Sequence, residues 1–146
     1  MEIVEIKKYN SDYLVVIQKL LSELMGKPVQ FPESSFKEIL SSENSHLFFL
    51  KDKESVIGMF TVGIYKSPTG SKAWIEDVVI DNNARGKGLG RLIMEYAISF
   101  VKSLHIETLM LTSNPSRVIA NKLYQSLGFE QKETNVYRMI LKSDID

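Results

Sequence analysis

Gly86, Gly88 and Gly90 stand at alternate positions among three cations, Arg85, Lys87 and Arg91. Glycine carries no Cβ, so a backbone built this way can pass close to a ligand. A strand-like run from Trp74, closing with Val78-Val79-Ile80, precedes the glycines, and an amphipathic helical run beginning near Leu89 follows them. The first N–H groups of a helix lack intrahelical partners and carry partial positive charge. Strand, glycine turn and helix N-terminus therefore make a seat for phosphate or pyrophosphate. Residues 85–91 read as an anion cradle.

Two common phosphate seats do not fit. The dinucleotide fingerprint needs G-x-G-x-x-G with an acidic residue roughly 20 positions on; the glycine spacing here differs, and the matching stretch reads Thr108-Leu109-Met110-Leu111. The triphosphate loop G-x-x-x-x-G-K-[ST] does not occur. What remains, Arg85-x-x-Gly88-x-Gly90, resembles the acyl-CoA-binding motif of the GNAT family of N-acetyltransferases. A second segment, Asn114 to Phe129, is similar to that family's other signature, with Ala120, Tyr124, Gly128 and Phe129 in the register A-x-x-x-Y-x-x-x-G-F. Many members carry Asn where this chain has Arg117, a difference that falls on local cofactor contacts. The resemblance covers about residues 55–141.

That likeness implies acetyl-CoA as acyl donor, an amine as acceptor, and direct transfer without a metal or a covalent enzyme intermediate. An amine resembling lysine has a pKa near ~10.4, so about one molecule in ~10³ is neutral and nucleophilic at pH 7. A carboxylate must take up the excess proton, directly or through water, and a donor must help the thiolate leave. Glu76, on the strand leading into the cradle, is the expected general base; strict alternation puts it on the face of Trp74 and Val78. Its neighbour Asp77 then points the other way unless a bulge intervenes. Either carboxylate could instead simply pair with a surface cation. By resemblance, the Tyr124 hydroxyl protonates or stabilises the leaving thiolate; on spacing alone it would be a core tyrosine. Arg85, Gly86, Lys87, Gly88, Leu89, Gly90 and Arg91 are expected at the pyrophosphate, mostly through backbone N–H groups. A splayed strand at Val78, Val79 and Ile80 would offer an N–H to the thioester carbonyl. Asn121 either bonds the pantetheine arm or is a solvated helix residue. His46 and His105 read as incidental. The acceptor is undetermined: Phe31, Trp74 and Tyr137 could wall its pocket, and Glu33 or Glu133 could attract a cation.

The elements that must position these groups follow from periodicity. Glu2 to Ile6 reads as a strand, and Ser11 to Met25 as a helix ended by Gly26-Lys27-Pro28. A short helix follows through Ser41, capped by Ser34 or Ser35. His46 to Leu50, Ser55 to Lys66 and Lys72 to Ile80 read as strands. After the cradle, positions 89, 92, 93, 96, 97, 100, 101 and 104 form an apolar helical stripe; Met94, Ile98 and their neighbours are core or a dimer face. Glu107 to Thr112 is a strand. The next helix starts at Pro115 with Asn114 or Ser113 as cap, burying Ile119, Ala120, Leu123, Tyr124 and Leu127. Val136 to Leu141 alternates as a last strand, with one more short strand conceivable near Glu130. The order βααβββαβαβ implies a mixed, mostly antiparallel sheet flanked by helices, in one domain over residues 1–146.

Composition narrows the function. The 146 residues are 44% hydrophobic, enough for one globular core. Eighteen basic and eighteen acidic residues cancel, so no global field favours nucleic acid. No apolar run reaches the ~18 residues of a membrane span, and the N-terminus lacks the form of a signal peptide. With no cysteine there is no disulfide framework, and a cytoplasmic location is expected. A small-molecule amine N-acetyltransferase is the reading these features favour. A protein or peptide N-acetyltransferase and a non-catalytic acyl-CoA-binding module are the alternatives.

Overall fold

The computed structural model describes residues 1–142, in two compact units, Met1–Asn114 and the part that begins at Pro115. The first unit runs β1 (Glu2–Glu5), α1 (Ser11–Met25), α2 (Glu33–Ser41), β2 (Ser45–Asp52), β3 (Ser55–Ser67), β4 (Gly70–Ile80), a 3₁₀ turn (Asn82–Ala84), α3 (Leu89–Ser103) and β5 (Thr108–Met110). The second unit holds α4 (Val118–Ser126). Among the described residues, no helix is long and apolar enough to cross a membrane.

The five strands lie in sequence order β1-β2-β3-β4-β5, antiparallel throughout except for the parallel β4–β5 pair. That exception follows from α3, since parallel neighbours need a crossover rather than a hairpin. Residues paired across strands share a face, and the two faces of the sheet are filled differently. Phe49, Met59 and Val79 join Ile17 and Leu20 of α1 and Phe36 of α2 in one apolar cluster. On the other face Phe48 stacks on Phe60 at 4.9 Å between centroids, and Tyr96 and Phe100 of α3 meet Phe48 edge-on. Ile93, Met94, Ala97 and Val101 complete the buried stripe of α3. Met94 is thus core rather than dimer face.

Helix α1 begins and ends as its residues dictate. The Asn10 side chain accepts from the Asp12 N–H at 2.8 Å, and Gly26, at φ 70°, donates its N–H to the Ser22 carbonyl. Helix α2 departs from expectation: it starts at Glu33 with Pro32 as its N-cap, and neither Ser34 nor Ser35 caps it. Proline's fixed φ already leads into the first turn, which the Phe36 N–H closes onto the Pro32 carbonyl.

Three expectations for the C-terminal third are corrected. Strand β5 is confined to Thr108–Met110 rather than spanning 107–112. Helix α4 starts at Val118, with Arg117 as N-cap, so Pro115, Asn114 and Ser113 stay in the connection; the residue before a proline is biased away from helical geometry. Ile119 is 87% exposed, whereas Ala120, Leu123, Tyr124 and Leu127 are half-buried. Finally, Val136–Leu141 and the stretch near Glu130 form no strand. A strand exists through its partner's backbone, and Val136, Tyr137, Met139, Ile140 and Leu141 are all highly exposed.

Candidate functional site

Strand β4 carries the site, and its geometry turns on one extra residue. Met59 pairs with Val79, but Thr61 pairs with Glu76, so Phe60 alone opposes both Asp77 and Val78. This is a β-bulge. Asp77 adopts φ 51°, a left-handed conformation that aspartate tolerates better than most residues. The bulge corrects the expected facing: Glu76 shares its side of the sheet with Trp74 and Val79, opposite Gly63 and Met59, and not with Val78. Burial of its carboxyl raises the Glu76 pKa, and the neighbouring Asp77 charge adds to the rise. A carboxylate so shifted is a stronger base near neutrality.

The other edge of β4 opens. Its parallel ladder with β5 covers only Lys72–Trp74, so the strand continues from Ile75 to Ile80 with no further β5 pairing. Backbone groups of Val78, Val79 and Ile80 on that edge are free of the β4–β5 ladder, as a strand-edge N–H for a thioester carbonyl would require. Beyond β5, the Ser113 hydroxyl is buried and has no hydrogen-bond partner among the described residues.

The turn that follows β4 is tied down residue by residue. Asp81 is 8% exposed. Its Oδ1 accepts from the Asn83 N–H at 2.9 Å, its Oδ2 accepts from Lys19 Nζ at 2.9 Å, and its own N–H donates to the Ile57 carbonyl at 2.8 Å. The Asn83 N–H first, and Lys19 with it, hold the Asp81 carboxyl below its ordinary pKa. Glu23 Oε2 accepts from the Asn82 N–H at 3.2 Å. Arg85 Nε donates to the Ile80 carbonyl at 3.2 Å, which curls its side chain back along the strand end. Lys87, with Lys19, Asp81 and Asn83, lines a cleft of about 790 Å³ beside the turn.

From there the chain enters the glycine run. Gly86 at φ 82° and Gly88 at φ 73° are left-handed, and a Cβ added to either would meet nothing within 4 Å. The glycines are therefore demanded by backbone conformation, and the space over them is open to a ligand. Gly88 is the N-cap of α3 and no side chain caps the helix. Its first turn, Leu89-Gly90-Arg91, thus presents a positive helix end at the glycine turn. The region fits a pyrophosphate.

In the second unit, Tyr124 lies on α4 one turn after Ala120. Burial raises its pKa, against the opposing effect of Arg117, so the phenol keeps its proton near neutral pH. The Gly-Phe ending of the motif has a local explanation. Gly128, at φ 102°, reverses the chain, the Phe129 N–H donates to the Tyr124 carbonyl at 3.0 Å, and the two rings meet edge-on at 6.1 Å. Asn121 directs its side-chain amide to the Arg117 carbonyl at 2.8 Å. The first unit therefore holds Glu76, Val78, Val79, Ile80 and the whole cradle, while Tyr124 and Asn121 belong to the second.

Sequence reasoning missed Lys19, Glu23 and Asp81. The Asp81-Asn82-Asn83 run is a turn-capping signature, and Lys19 and Glu23 are one helical turn apart, but no local pattern says that they meet. His46 is not idle either: its Nδ1 lies 2.9 Å from Glu5 Oε2, beside the Phe100 ring.

Residues 16–129 match the profile of the acetyltransferase (GNAT) family. Over 85 residues the chain is 29% identical to mycothiol acetyltransferase of Renibacterium salmoninarum, and over 60 residues 32% identical to [ribosomal protein bS18]-alanine N-acetyltransferase of Salmonella typhimurium. These matches take in 57% and 41% of this chain, but span only 25% and 40% of the relatives' own lengths. A solved aminoglycoside acetyltransferase from an uncultured soil metagenomic sample, in complex with sisomicin, superposes with a TM-score of 0.85 at 16% identity, covering 97% of this chain and 96% of that one. At that identity the likeness concerns the fold.

Proposed function

Because the chain belongs to the acetyltransferase (GNAT) family, whose members use acetyl-CoA, we propose that it transfers an acetyl group from acetyl-CoA directly to a small-molecule amine. The observation that carries this reading is the cradle: two left-handed glycines with open space above them, leading into a helix end that no side chain caps. Gly86, Gly88 and the first turn of α3 bind the pyrophosphate through backbone N–H groups, with Arg85, Lys87 and Arg91 adding charge. Bound there, acetyl-CoA supplies the activated thioester. A backbone N–H on the open edge at Val78–Ile80 stabilises charge on the carbonyl oxygen. Glu76, its pKa raised, accepts the proton that the amine must lose. Tyr124, its phenol kept protonated, donates to the departing sulfur. Asn121 contributes to holding the pantetheine arm.

The whole chain, residues 1–146, is proposed to act as one N-acetyltransferase domain in the cytoplasm, without nucleic-acid or membrane partners and with a homodimer as its candidate assembly. Its balanced charge favours a small acceptor over a polyanion. A protein acceptor is the second reading, favoured by the 32% identity to an enzyme named for an alanine of ribosomal protein bS18.

Calorimetric titration of acetyl-CoA, followed by an amine panel read through released CoA thiol, tests both readings. Turnover on polyamines, amino sugars or amino acids supports the small-molecule acceptor. Turnover on peptides alone supports the second reading. Binding without turnover on any amine would reduce the protein to an acyl-CoA-binding module.

A further inference from the structure

The 3₁₀ turn between β4 and the glycines is fixed from outside the site, by two residues one turn apart on α1. Lys19 Nζ bonds Asp81 Oδ2, and Glu23 Oε2 accepts from the Asn82 N–H. Asp81 is the hub: its carboxylate holds Lys19 and the Asn83 N–H, its own N–H holds β3, and its carbonyl accepts from the Ala84 N–H at 2.9 Å. Only one residue, Arg85, separates Ala84 from Gly86, so the orientation of this turn sets where the glycine backbone points. The two ends of the bridge are unequal. The Asp81 side chain is 11% exposed, whereas Lys19 is 61% exposed. An ion pair that is open on one side adds little to stability, so its effect should lie in fixing a carboxylate that has more than one rotamer available.

We propose that Lys19 is a positioning residue for the acyl-donor cradle, acting through Asp81 to hold the Asn82–Ala84 turn in the form that lets the glycine backbone receive an anion. The inference rests on the reading of residues 85–91 as the acetyl-CoA site. It makes a prediction that simple charge attraction does not. Asp81→Asn removes a negative charge from beside an anion site, so direct electrostatics would tighten acetyl-CoA binding. Positioning requires the opposite, because the Lys19 anchor is lost while Asn can still accept from the Asn83 N–H.

The test is calorimetric titration of acetyl-CoA into the full chain, with thermal midpoints measured in parallel. Asp81→Asn and Lys19→Met are each expected to raise Kd roughly twofold to fivefold, the range for a partly exposed ion pair, with Lys19→Arg restoring binding to the parent value. In turnover the same variants raise KM for acetyl-CoA and leave kcat unchanged. Equal or tighter binding by Asp81→Asn overturns the proposal. Should Asp81→Asn fail to fold, Lys19→Met decides: unchanged Kd, or weakening that Lys19→Arg does not restore, overturns it equally. Failure of the unmodified chain to bind acetyl-CoA sinks the functional reading itself, a result distinct from any of these.

Discussion

In the proposed reaction two side chains carry the proton chemistry, and each has an environment suited to one role. Desolvation moves both pKa values upward; for Glu76 this makes a better base, and for Tyr124 it keeps the donor protonated. Tyr124→Phe preserves the ring that packs on Phe129 and removes only the hydroxyl. It should lower kcat by ~10²- to 10⁴-fold, the usual worth of a placed acid, with acetyl-CoA affinity unchanged by calorimetry; equal turnover would refute the role. For Glu76 the sign runs through pH. As the base it must be deprotonated, so kcat/KM climbs as pH rises through its folded pKa, which lies above the ordinary ~4.3. Glu76→Gln should abolish that acidic limb, and a limb that survives assigns the base elsewhere. Both proposals start from the sequence, one from a place before the glycines and one from a motif. The facing of Glu76 was not legible there. A bulge inserts one residue, and the aspartate that tolerates its left-handed backbone marks at most a weak point in the strand, not the register of the ladder.

At the scale of elements, the cradle is a conformational object before it is an electrostatic one. A side chain at φ 73° is strained by ~1–2 kcal/mol; the Gly88→Ala backbone relieves that strain by leaving the left-handed form, which binding must then restore, so acetyl-CoA should bind roughly 5- to 30-fold more weakly. That loss should appear in Kd at any ionic strength; affinity unchanged in the variant would mean the backbone there does not contact the ligand. The turn before it is tied to acid stability. The Asp81 pKa is lower in the folded chain than in the unfolded one, so its carboxylate contributes stability above ~3.9, and that contribution is lost as pH falls through the folded value. Denaturant titrations should show Asp81→Asn less stable than the parent near neutrality, the gap closing with acid; a gap independent of pH would contradict the linkage. Helices α1 and α3 and the hairpin strands were readable because long apolar periodicity overrides local detail. Helix α4 was harder. Its motif fixed Ala120, Tyr124 and Gly128, but where the helix begins depends on how the chain leaves Pro115. The alternation of Val136–Leu141 signalled a strand in the same way a surface strand would, yet pairing is a property of two segments and only one is visible locally.

Across the whole molecule, the first unit is a sheet with two differently filled faces, and the proposed donor site lies where β4 outruns β5. The aromatic face, Phe48 on Phe60 beneath Tyr96 and Phe100, keeps α3 on the sheet and so keeps the cradle's helix end in register with β4. Phe48→Ala should cost ~3–5 kcal/mol of stability, readable as a shifted denaturant midpoint. Identical counts of acid and base say nothing of where a local anion site would form; the glycine spacing is what proposes one. The acceptor is the part least written in the chain, because no motif in the sequence names it. The central claim concerns the donor and can be tested without knowing the acceptor. Acetyl-CoA titrated into the unmodified chain should bind at one site, with Gly88→Ala binding more weakly at that same site. No detectable binding by a folded, unmodified chain would contradict the account at its base.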